Sequence, residues 1–204
     1  MQTDAYAEIS AGQESEIRKR TGRKPFYIIP IMALLLGLLI LAVCIQMNTP
    51  EKRIAKLMNL YARSYLECDT DAAIEIMAQC TIDDLKREWG EDGYREFIHS
   101  SLNYSHAECL DSHYGKNASI QFENLACKKM PASKMNELER AMKSKYHADI
   151  EIAESYWISG DMHISGADGS ADLPIDKQIV MLRIGSRWSL FGATAERLVP
   201  AAEL

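Results

Sequence analysis

The chain has 204 residues, a formal charge of −6, 47% apolar residues and 25% charged residues. These values exclude collagen-like, low-complexity and wholly disordered chains, and the length suits one ordinary domain with appendages. A sequence pI near 5.4 excludes a nucleic-acid partner held by clustered positive charge.

Residues 1–25 are polar. Asp4, Glu8, Glu14 and Glu16 precede a basic run of Arg18, Lys19, Arg20, Arg23 and Lys24. Such a segment has too little apolar content to fold alone and reads as a disordered tail. Residues 26–47, FYIIPIMALLLGLLILAVCIQM, are 22 residues without a charge. About 20 apolar residues cross a ~30 Å hydrocarbon core, and in lipid only a helix satisfies a single segment's backbone. The sequence therefore predicts a transmembrane helix. Five cations precede it, whereas only Lys52 and Arg53, beside Glu51, follow closely. That asymmetry predicts a single-pass cell-membrane protein with a cytoplasmic N-terminus and residues 48–204 outside.

The tail holds four acids and five bases and the apolar run none, so the remaining 25 acids and 18 bases give residues 48–204 a charge of −7. The stretch is long enough to bury a real core. A helix is expected from about Glu51, with Ile54, Leu57, Met58, Tyr61, Tyr65 and Leu66 at helical steps. Thr70 or Asp71 caps a short second helix. Thr81 opens a third, whose expected buried side is Leu85, Trp89, Tyr94, Phe97 and Ile98, with Gly90 and Gly93 permitting a bend. Residues 103–110 and 118–127 read as strands. A helix over Ser133–Tyr146 follows, and then a long strand in which Ile152, Tyr156, Ile158, Met162 and Ile164 share one parity. Residues 166–174, GADGSADLP, read as a loop. IVMLRIG and RWSLFG flank Gly185-Ser186 as a hairpin with glycine first in the turn. Helices followed by antiparallel strands with one inserted helix make an α+β domain.

Four cysteines fall in the outer domain: Cys68, Cys80, Cys109 and Cys127. Their even number in an extracytoplasmic domain allows two disulfides, with Cys68–Cys80 and Cys109–Cys127 as one connectivity and free buried thiols as the alternative. No metal site is expected, because no Cys-x-x-Cys or close histidine pair occurs. No phosphate loop or nucleophile elbow is present, so no cofactor is expected.

LYARSYLECDTDAAIEIM and IVMLRIGSRWSLF resemble the opening helices and closing hairpin of nuclear-transport-factor-2-like (cystatin-like) domains. The middle of the chain is similar to bacterial membrane-anchored members. The resemblance implies a cone-shaped domain of helices laid on a curved antiparallel sheet, and it implies no particular activity. In such a cone, Glu154 on the apolar parity of the long strand could face a cavity. Desolvation would raise its pKa and make it a general base. The alternative is a bulge that turns it to water. The functional expectation is a non-enzymatic, membrane-anchored domain that binds a protein partner or small ligand at the outer surface. Alternatives are a component of a secretion or conjugation machine, and an isomerase- or dehydratase-like enzyme using the cone cavity.

Overall fold

The computed structural model describes residues 32–40 and 49–200, which belong to two units, Met1–Thr49 and Pro50–Leu204. In the first unit residues 32–40 are helical, with Leu34, Leu35, Leu38 and Leu39 exposed. Among the described residues no helix is long and apolar enough to cross a membrane. The expected transmembrane helix over 26–47 is corrected accordingly. The remainder of that stretch lies outside the described residues, as does the tail with Arg18, Lys19, Arg20, Arg23 and Lys24.

The second unit opens with α1, Pro50–Leu66. Proline suits a first helical position because its missing N–H would have no partner there. Ile54, Leu57, Met58 and Tyr61 fall on one face and are buried. Each such side chain is worth roughly 1.5–3 kcal/mol of transfer free energy. Asp69 caps α2, Thr70–Ile76, by accepting the Ala72 N–H at 2.9 Å. The expected caps, Thr70 and Asp71, therefore lie just inside the helix.

α3, Gln79–Ser105, breaks at Gly90, where φ is 80° and ψ is 167°. Side-chain-bearing residues avoid that conformation and glycine does not. Leu85 before the break and Ile98 and Leu102 after it share one apolar cluster with Tyr65 and Met77. Trp89 is not on the buried side. It is 47% exposed and stacks on Phe97 at 4.5 Å. The helical path continues through a π-helical turn, His106–Asp111, and a last turn, Ser112–Tyr114. Residues 103–110 are therefore helical rather than a strand. The buried side chains Ile98, Leu102, Leu110 and Tyr114 recur at multiples of four, a helical spacing hidden by the polar residues between them.

The sheet holds β1 (Ser119–Lys129), β2 (Ile152–Ser165), β3 (Ser170–Ile184) and β4 (Arg187–Phe191), antiparallel in the order β1-β2-β3-β4. α4, Ala132–Tyr146, lies between β1 and β2 in sequence. The expected loop over 166–174 shrinks to a turn, because Ser170–Pro174 pair with Ser165–Asp161 of β2. Pro174 is tolerated there because β4 pairs only with residues 180–184, which leaves that end of β3 as an edge.

The architecture is thus α+β, as expected. One sheet face carries α1 and the main core of Ile54, Met58, Tyr61, Ile158, Met162, Ile164 and Met181. The other face packs Ile152 and Leu182 against Met142 and Tyr146 of α4. The Tyr61 hydroxyl donates to Thr194 O at 2.9 Å and that of Tyr114 to Leu198 O at 2.8 Å, fastening the C-terminal 3-10 turn, Ala195–Leu198, to the core. Side chains of this core occupy the α1 face, where the enzymatic alternative places a cone cavity.

Candidate functional site

The site grows from one irregularity in β2. Ile152 pairs with Ile184, yet Glu154 pairs with Arg183, so Ala153 is an extra residue and the strand parity switches there. Side chains alternate between sheet faces at every residue. One inserted residue therefore moves Glu154 to the face that carries α1. Arg183 pairs in turn with Trp188. Glu154, Arg183 and Trp188 form a row across three strands. A bulge is present, but it turns Glu154 onto the α1 face beside Tyr156 and Arg183 rather than to water.

Arg183 Nη2 donates to Glu154 Oε1 at 2.6 Å, and the Tyr156 hydroxyl donates to Glu154 Oε2 at 3.0 Å. The Glu154 side chain is 31% exposed. Its carboxyl is held below the ordinary glutamate value, chiefly by the Arg183 hydrogen bond, with burial opposing and Tyr156 reinforcing. A general base poised near neutrality needs the opposite shift. Here Glu154 orients Arg183.

Around Trp188 the chain gathers further cations. The guanidinium of Arg53 lies 4.7 Å from the ring centre and that of Arg183 5.8 Å, with Tyr156 at 6.1 Å. Arg187 donates to Gln79 Oε1 at 3.1 Å and also to the Ile74 carbonyl, which ties the hairpin to α2 and the start of α3. Between α1, α2 and the hairpin lies a cleft of about 370 Å³, lined by Arg53, Lys56, Leu57, Glu75, Arg187 and Trp188. Lys56 spans to Glu75 at 2.6 Å. The β3–β4 turn that presents Trp188 has positive φ at Gly185 and not at Ser186, as a type II′ turn requires. Arg53, Lys56, Arg183 and Arg187 outnumber Glu75 and Glu154, so the cleft is positive on a domain that is negative as a whole. It presents an aromatic plane and cationic donors, with no nucleophile–base pair.

The cysteines do not form the expected bridges. Cys68, Cys80, Cys109 and Cys127 are free thiols. Cys127 approaches Glu51 at the start of α1, with Sγ 3.9 Å from Oε1, and Cys109 packs against the main core. Cys68 packs beside Tyr65 and Leu85, while Cys80 packs under α4 with Met142. Burial pushes all four thiols above their ordinary value, which suits packing rather than reactivity. Among the described residues no group of three His, Cys, Asp or Glu could hold a metal ion.

Sequence reasoning did not find the cleft. Trp188 was legible only as part of a closing hairpin, and Arg53 only as a flank of the apolar segment. A signal existed in the basic residues Arg53 and Lys56 at i, i+3 on α1 and in the grouping of Arg183, Arg187 and Trp188 about a turn. Nothing in the sequence joined the two. Comparison with protein-family models, curated proteins and solved structures finds no match.

Proposed function

We propose that residues 50–200 form a non-enzymatic binding or assembly domain, with the Trp188 cleft as the surface that engages a partner. The observation that carries this reading is the stack of Arg53 on Trp188 inside a positive cleft of about 370 Å³. Tryptophan and arginine are among the side chains enriched at binding hot spots, and the volume lies in the range of ligand-binding clefts. The resemblance to nuclear-transport-factor-2-like domains belongs to the same proposal. Three helices ahead of an antiparallel sheet with one inserted helix support it. The enzymatic alternative has less support, because the α1 face is filled and Glu154 is committed to Arg183.

The test is a photo-crosslinking amino acid placed at Ser186, on the exposed hairpin turn that borders the cleft. The full chain, expressed in the cells that make it, should give a discrete adduct larger than the monomer. That adduct should disappear in the Arg53→Glu/Lys56→Glu double variant. No adduct from Ser186, or one indifferent to the double variant, contradicts the reading.

A further inference from the structure

We infer that the cleft recognises an extended, carboxylate-bearing peptide segment of a partner protein, and that Glu75 occupies the place of one of its carboxylates until it arrives. This inference rests on the binding reading above. Charge decides the sign of the ligand, since the cations around Trp188 form a positive patch on a domain of excess acid. The contacts inside the molecule decide its chemistry. Two of those cations already hold carboxylates: Lys56 holds Glu75 and Arg183 holds Glu154, each at 2.6 Å.

Spacing decides its shape. Arg53 and Lys56 stand at i and i+3 on α1, about 5–6 Å apart between Cβ atoms. Alternate side chains on one side of an extended peptide stand about 6.6–6.8 Å apart. The flexible stems of lysine and arginine absorb the difference. A single compact anion can bridge these two cations but leaves the Trp188 plane uncovered, whereas an acidic segment meets both and lies along that plane.

The Lys56–Glu75 pair differs from the Arg183–Glu154 pair in one respect that matters. Its side chains are 67% and 50% exposed, against 31% for both partners of the other. An exposed pair exchanges partners at little cost. An incoming carboxylate can displace Glu75 from Lys56 and leave Glu75 in water. Glu154 lacks that freedom and stays with Arg183 beneath the ring.

Isothermal titration of the full chain with the acetylated, amidated peptide Glu-Ala-Glu-Ala-Glu tests this. Gln-Ala-Gln-Ala-Gln and inorganic phosphate serve as the comparison ligands. Saturable binding of the acidic peptide is expected, with none of the glutamine peptide. Lys56→Gln should weaken binding about fivefold or more, and Glu75→Gln should tighten it by about the same factor. Circular dichroism of both variants checks that the fold is kept. Unchanged or weaker binding in Glu75→Gln overturns the surrogate role of Glu75. Phosphate binding as tightly as the peptide overturns the peptide class. If the peptide fails while the Ser186 adduct persists, the ligand class alone is wrong; if both fail, the binding reading falls with it.

Discussion

The Arg53 guanidinium lies over the indole of Trp188 at 4.7 Å, so the first turn of α1 and the last hairpin of the sheet meet through one cation–π contact. A contact of this kind at a partly exposed site is worth about 0.5–1 kcal/mol. Arg53→Gln should therefore lower stability by about that amount. Trp188→Ala removes ring burial as well and should cost roughly 2 kcal/mol, less than a fully buried aromatic. Urea unfolding of the two variants checks the order. Equal losses would mean that the ring packs without Arg53.

Among the carboxyls held below their ordinary values, three accept part-buried hydrogen bonds. Asp69 is held first by the Ala72 N–H and then by Arg63, Glu139 by the Ile152 N–H, and Glu154 by Arg183. In the unfolded chain they titrate near 4. As pH falls, the unfolded state takes up these protons before the folded state does. The stability they contribute is complete above that range and is lost as pH falls through the depressed folded values. The urea midpoint should drop between about pH 6 and about pH 2, and Glu139→Gln should flatten the slope. A midpoint independent of pH over that interval would contradict the assignment.

Ser155 is 1% exposed, and its hydroxyl oxygen has no hydrogen-bond partner. It pairs across the sheet with Leu182, in the apolar layer under α4. A buried hydroxyl without a partner forfeits roughly 1–3 kcal/mol of hydration. Ser155→Ala should thus raise stability by about 1 kcal/mol. Calorimetry giving a clear loss instead would show that the hydroxyl is hydrogen-bonded.

Free thiols at Cys68, Cys80, Cys109 and Cys127 make a direct chemical prediction. Alkylation under denaturing conditions without reductant, followed by peptide mapping, should label all four. Prior reduction should add no label at any of them. A reductant-dependent label at two of these positions would restore a disulfide.

Much of the fold is legible in the sequence because single elements carry their own periodicity. α1, α4, β2 and the closing hairpin follow from local apolar spacing and turn chemistry. The failures have physical causes. Residues 103–110 belong to a helix because buried Leu102 and Leu110 face a core that lies far off in sequence. Residues 170–174 form strand because β2 extends to meet them, overriding the loop-like composition of residues 166–174. Glu154 sits on the expected strand, but the extra residue at Ala153 decides its face, and bulge placement depends on the partner strand. The disulfide expectation followed from counting, and counting carries no distances. The cleft needed residues 53, 56, 75, 187 and 188 brought together by the topology.

The cleft beside Trp188, and not the opposite end of the sheet, is the surface we propose for partner binding. Ser186 borders that cleft, while Asp172 is an exposed residue where β3 pairs with the far end of β2. The same photo-crosslinker placed in turn at these two positions tests the claim in one experiment. An adduct from position 186 and none from position 172 is the predicted result; an adduct from position 172 alone would contradict it.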